Sequence, residues 1–184
     1  MCSINPLSDF DLINYIKSER LIVDPIYRDT IRENGIDMRI GAEIRKILDS
    51  DIPFDPNIHQ TEEGRYKKEE GLTFTIHPGE RILCRTQEWI ELPKDILGFC
   101  SLRVTWALLG ISIPPTIVDA GFKGTLTIEM INNGKFPVKF YYGDRFMHVV
   151  FAKTTSVVEK PYKGKYQGQS DVQPAIMDHQ FRRN

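Results

Sequence analysis

The chain has no apolar run approaching the roughly eighteen residues that a membrane-spanning helix requires. Long runs of one charge are missing too. Its 24 lysines and arginines are interspersed with 25 acids for a net charge of −1, which argues against a nucleic-acid polymer as partner. Cysteine is scarce: Cys2, Cys84 and Cys100 stand far apart and form no CxxC pair. An odd, scattered set reads as reduced thiols rather than a disulfide framework. The start, Met1-Cys2-Ser3-Ile4-Asn5-Pro6, has neither the basic nor the apolar region of a secretory signal. The expectation is a cytoplasmic protein that spans no membrane.

Several catalytic signatures are absent as well. The four histidines (His59, His77, His148, His179) are widely spaced, and none pairs with a cysteine or carboxylate at ligand spacing. The HxE…PCxxC pattern of zinc deaminases is missing, so no zinc site is expected. There is no GxxxxGK[ST] phosphate loop and no GxGxxG turn. GxSxG does not occur, and no histidine neighbours a cysteine, which weakens nucleophilic catalysis.

What is present is one domain's worth of short strands in 184 residues, enough for a substantial core. Ser8, with Asp9 and Asp11 after it, caps an amphipathic helix predicted over about 8–19. Residues 50–70 are polar and proline-punctuated and read as a surface loop or insertion. From Leu72, apolar and polar residues alternate through Phe74 and Ile76. Ile82–Cys84 and Trp89–Leu92 are further strands. Asn133-Gly134 is a hairpin signal ahead of Val138 and Phe140, and Gly143-Asp144 turns into Phe146–Phe151. Many short strands with one N-terminal helix predict a mainly β fold, a compact sandwich or jelly-roll-like barrel. The segment Lys160–Gln169 is cationic, glycine-containing and interleaved with tyrosines. It has too few apolar residues to hold itself folded, so about 160–184 is expected to be a mobile tail.

One stretch carries more chemistry than the others: Thr116-Ile117-Val118-Asp119-Ala120-Gly121-Phe122-Lys123-Gly124-Thr125-Leu126-Thr127-Ile128-Glu129. Two carboxylates bracket a glycine-flanked aromatic and the start of a strand. Leu126, Ile128 and Met130 point one way and Thr125, Thr127 and Glu129 the other. A carboxylate lining a closed cavity is costly, and such cost is usually tolerated where chemistry is done. Glu129 could activate water; on a solvent-facing strand it would do nothing. Asp119 could hold a sugar hydroxyl or a second water, or simply shape a turn. Arg103 beside the hydroxyl of Thr105 is a natural phosphate pair, or a solvated strand end. Lys163, Lys165, Tyr166 and Gln169 could close over a polyphosphate, or belong to a soluble tail.

The span from Leu102 to Phe151, with Gly35-Ile36-Asp37-Met38-Arg39 upstream and Lys165-Tyr166-Gln167-Gly168-Gln169 downstream, resembles the dCTP deaminase family. That family is a branch of the trimeric dUTPase-like fold. The likeness extends from Leu7 to about Gln173, in the style of archaeal members, and Ile113–Phe122 is its most specific part. It implies a single domain over 1–184 built as a distorted β-barrel. It also implies a homotrimer with active sites between subunits, and dCTP or dUTP bound with Mg2+ through the triphosphate rather than a protein metal cage. On this likeness Glu129 matches the glutamate that activates water at C4 of cytosine. Asp119 matches the aspartate on the deoxyribose 3′-hydroxyl, which in dUTPases and bifunctional members orients the water for phosphate cleavage. Phe122 matches an aromatic against the deoxyribose, Arg103 and Thr105 match phosphate-gripping groups, and Lys165, Tyr166 and Gln169, with Tyr162 ahead of them, match the C-terminal lid.

Two positions depart from the family's Arg-Ser-Ser-x-Ala-Arg motif: Val104 replaces its first serine and Leu108 its last arginine. Their loss is expected to leave Glu129 with fewer charge-stabilising partners and so to favour its protonated form, a poor base. Deamination of dCTP to dUTP is therefore the leading expectation. A dUTP diphosphatase or bifunctional dUMP-forming enzyme is the alternative, and a nucleotide-binding protein with weakened catalysis is the third reading.

Overall fold

A computed structural model of the chain describes residues 5–55 and 64–176. Cys2, His59, His179 and the segment 56–63 within the predicted insertion lie outside the described residues. The elements follow in chain order. Helix α1 (Asp9–Lys17) precedes β1 (Ile22–Asp24), β2 (Ile31–Arg32), β3 (Gly35–Ile47), β4 (Tyr66–Glu70), β5 (Thr73–Ile76), β6 (Arg81–Thr86), β7 (Trp89–Glu91) and β8 (Ile96–Leu102). After the short helix α2 (Val104–Leu108) come β9 (Ile111–Ser112), β10 (Thr116–Val118), β11 (Lys123–Gly124), β12 (Thr127–Asn132), β13 (Val138–Tyr141) and β14 (Arg145–Lys153).

The sheet is organised around β3. Its first half pairs with β14, from Ile36 to Arg39, and its second half with β6, from Ile44 to Lys46. The register breaks between Ile40 and Ile44. An irregularity of that kind bends a strand and steepens its twist, so one long strand serves two parts of a curled sheet. The resulting path is β10-β8-β14-β3-β6-β12-β9, with β2 and β4 also on β3. A small sheet β1-β7-β11 and the pair β13-β5 complete the curled half-barrel. Ile36, Met38, Ile40, Ile44, Phe140, Phe146 and Phe151 are fully buried at its centre.

The expected helix is present and capped as predicted. The Ser8 hydroxyl accepts from the Asp11 amide at 3.3 Å, and the Asp11 carboxylate accepts from the Ser8 amide at 3.2 Å, a reciprocal capping box. Two expectations need correction. The predicted loop 50–70 ends in strand β4, which pairs with β3 from Glu43↔Glu70 to Ile47↔Tyr66. Its charges misled because β4 is an outer strand whose lysines and glutamates pair across its surface, Lys68 with Glu70 at 2.7 Å and Lys67 with Glu69 at 3.0 Å. Asn133-Gly134 does not make a hairpin either, since β12 pairs with β6 and β9, and β13 with β5. The turn instead carries the chain between sheets. Fully buried Asn132 holds it, donating to the carbonyls of Ile76 and Phe136 and accepting from the Gly134 amide.

Candidate functional site

The alternation read from Thr125 holds from Leu126 onward: Leu126, Ile128 and Met130 are buried and Thr127 and Glu129 face the other side, whereas Thr125 precedes the strand and is buried, its hydroxyl donating to the Gln169 carbonyl. That other side is the wall of a cavity of about 520 Å³, within the size range of small-molecule sites. The register of β12 on β6 sets Glu129 opposite Leu83 and Ile131 opposite Arg81, so Arg81, Leu83 and Glu129 share that face. Strand β10 brings Thr116, Ile117 and Val118 to the rim, and the following turn adds Asp119 and Phe122. That turn is closed by the Phe122 amide donating to the Asp119 carbonyl at 3.1 Å.

Of the residues singled out from sequence, Glu129, Asp119, Phe122, Tyr162, Tyr166 and Gln169 line this one cavity. Phe122 is buried with its ring tilted against Tyr162, centroids 5.7 Å apart. Three others lie elsewhere. Lys165 is off the cavity wall, with its ammonium over the Tyr166 ring. Arg103 and Thr105 are at the start of α2, also off the wall. Arg103 pairs with buried Asp37, which also accepts from Arg145 at 3.3 Å and lies 2.9 Å from His148 Nδ1. Burial first, then the neighbouring Arg145 and Arg32, hold the Arg103 guanidinium below its ordinary range. Cations crowded in this way gain from an anion's approach.

The sequence reading missed Arg81. Its Nε donates to Glu129 Oε1 at 3.1 Å, and its Nη2 reaches the same oxygen. Beside the fewer partners expected from Val104 and Leu108, Glu129 thus has one cation, and it comes from an adjacent strand of the same chain. Only its place as the first residue of β6, two positions after the Pro78-Gly79 turn, could have signalled it. Neither described thiol, Cys84 or Cys100, lines the cavity. Burial pushes Cys100 up to about 12 and Cys84 higher still, so neither is a ready nucleophile. Among the described residues no group of three or more His, Cys, Asp or Glu is placed to hold a metal ion.

Of the tail expected to be mobile, residues 160–176 run along the site, and 177–184 lie outside the described residues. The Tyr162 amide donates to the Ala120 carbonyl, the Gly168 amide to Lys123, and the Thr125 amide to Gln169, all at 2.8–2.9 Å. The Gln169 side chain donates to the Thr125 carbonyl at 2.7 Å, and Val172 is fully buried. Backbone pairing with 120–127 supplies the hold that apolar content does not. Glycine permits it at two points. At Gly121 (φ +87°) a Cβ would stand 2.7 Å from Pro161, and at Gly124 (φ +142°) 2.9 Å from the Gln169 carbonyl. A Gly124→Val exchange is expected to lift the tail. Hydrogen-exchange protection of the Thr125 and Gly168 amides should fall by about tenfold or more, with β3 and β14 unchanged.

The curled half-barrel, with its tail laid over a carboxylate-bearing cavity, is a fold shared with a solved deaminase structure. The 2′-deoxycytidine 5′-triphosphate deaminase structure from Agrobacterium tumefaciens superposes with a TM-score of 0.66 at 16% identity. It covers 83% of this chain, which spans about half (49%) of that structure's length. The dCTP deaminase-like family profile matches residues 6–154, and the chain belongs to that family. It is 48% identical to a dCTP deaminase of Metallosphaera sedula, over 90% of this chain and 95% of that protein. It is 47% identical to a probable deoxyuridine 5′-triphosphate nucleotidohydrolase of Sulfolobus islandicus rod-shaped virus 1, over 94% and 99%.

Proposed function

We propose that the chain deaminates dCTP to dUTP, with Glu129 moving the proton. The observation that carries this reading is Glu129 itself, ionically paired on the wall of a cavity it shares with Asp119 and Phe122. Water gives a proton to the Glu129 carboxylate, and the hydroxide adds to C4 of the pyrimidine. That proton passes from Glu129 to N3 as the C4=N3 bond opens, and the C4 hydroxyl proton then moves by way of Glu129 to the 4-amino group, which departs as ammonia and leaves the 4-oxo product. Asp119 takes the deoxyribose 3′-hydroxyl and Phe122 packs on the sugar, against which a 2′-hydroxyl would find no partner. Tyr162, Tyr166 and Gln169 cover the nucleotide.

Arg103 and Thr105 lie away from this cavity, and the reading assigns them to the cavity of a neighbouring copy in a homotrimer. The crowded cations around Asp37 support a polyphosphate there. Magnesium suits this arrangement. A hard cation that keeps several of its waters is held largely through phosphate oxygens, so the triphosphate itself would carry it. When bound, the ion would neutralise triphosphate charge.

A second reading, cleavage of dUTP to dUMP and pyrophosphate with Asp119 orienting the water, is favoured by the viral relative's description. One experiment separates them: ammonia and pyrophosphate are followed together with dCTP and dUTP in parallel. Ammonia from dCTP is expected. Pyrophosphate from dUTP, lost on Asp119→Asn, with no ammonia from dCTP, would replace the first reading by the second.

A further inference from the structure

We propose that Arg81 is a positioning residue for the deamination, fixing the Glu129 carboxylate so that one oxygen is tied and the other faces the substrate. The inference rests on the reading of Glu129 as the proton-moving group. Three observations carry it. Arg81 and Glu129 are diagonal neighbours on the cavity face of β6 and β12, a geometry set by backbone register rather than by a loop. Both Nε and Nη2 of Arg81 converge on Oε1, while among the described residues no group donates to Oε2. The Glu129 side chain is only 21% exposed, and that of Arg81 is 54% exposed, so the guanidinium leans over the carboxylate from the open side.

A carboxylate on a strand has freely turning terminal torsions. Two donors on one oxygen stop that rotation and dedicate the second oxygen to water. Misplacing a reacting group by about an ångström can cost about a hundredfold in rate, so a fixed carboxylate is worth having before substrate arrives. The alternative source of a cation within reach of the site, the face of α2 that the reading assigns to a neighbouring copy, carries Val104 and Leu108, 69% and 82% exposed. Neither can donate. This chain therefore supplies the guanidinium in cis, and Glu129 is ordered within each subunit before assembly.

The test is steady-state ammonia release from dCTP by the full-length protein. Arg81→Ala is expected to lower kcat about 10- to 100-fold and to leave KM within about twofold, because Arg81 holds Glu129 rather than the nucleotide. Arg81→Lys, with a single ammonium nitrogen in place of a planar fork, should fall between. Guanidinium chloride at tens of millimolar should restore part of the kcat of Arg81→Ala and do nothing for the parent. Arg81→Gln, neutral and of similar length, gives the same reading should the alanine variant fold poorly. An unchanged kcat overturns the proposal, as does a loss that neither lysine nor guanidinium ion recovers, or a rise in KM that accounts for the whole effect. Glu129→Gln with Arg81 intact judges the underlying reading separately. If that variant still releases ammonia, Glu129 is not the proton carrier, whatever Arg81 does.

Discussion

Glu129→Gln is expected to lower ammonia release from dCTP by about 10²–10⁴-fold, the range that a positioned acid–base group supplies. Glutamine keeps the size of the side chain and a carbonyl oxygen for Arg81, so the sheet and the cavity survive. What it cannot do is take a proton from water and pass it to the leaving amine. Nucleotide binding should therefore persist. In isothermal titration with dCTP and magnesium the variant is expected to bind within about threefold of the parent, since the phosphates and sugar are held by other groups. A variant that binds as well and turns over as fast would remove Glu129 from the chemistry. Loss of binding along with turnover would make it a structural residue of the pocket.

The second large effect comes from mixing two dead proteins. Arg103→Ala alone should be nearly inactive if Arg103 serves the neighbouring cavity, and Glu129→Gln alone is expected to be nearly inactive for the reason above. Refolded together as random trimers, the two variants form some sites with Glu129 from one subunit and Arg103 from the next. For a ring of heterologous contacts, about one site in four has both, so activity should return to about a quarter of the parent's. Were both residues used within one chain, the mixture would stay as inactive as its components. The result is read as ammonia release before and after co-refolding, and sedimentation gives the size of the assembly.

The fold was legible where one face of a strand is wet and the other dry. β5, β6, β7 and β12 alternate visibly, and the start of α1 was marked by Ser8 and its acids. The spine of the sheet was not legible. β3 is buried for most of its length yet contains Asp37, Arg39 and Glu43, charges that hide the apolar run expected of a strand covered on both sides. The structure accommodates them by pairing. The Arg39 amide donates to buried Glu88 at 2.8 Å and its guanidinium sits 3.3 Å from the same carboxylate. Such partners are distant in sequence and leave no local trace. Six of the nine candidate site residues meet in one cavity, because the motif around 116–129 is a contiguous turn and strand and the tail lies against it. Arg81 was invisible for the opposite reason. Its meeting with Glu129 depends on the register between β6 and β12, which a single strand's pattern does not encode.

The seating of the tail also bears on how the protein tolerates trimming. β11 pairs with β7 on one side and meets Gln169 on the other, so the tail acts as the neighbour that a two-residue border strand would otherwise want. A chain cut at Lys160 would bare that border and empty the place of Val172, leaving an adhesive seam beside Phe122. Exposed seams of this sort recruit other chains. On this geometry the C-terminal segment would guard against clumping as well as cover the proposed nucleotide site.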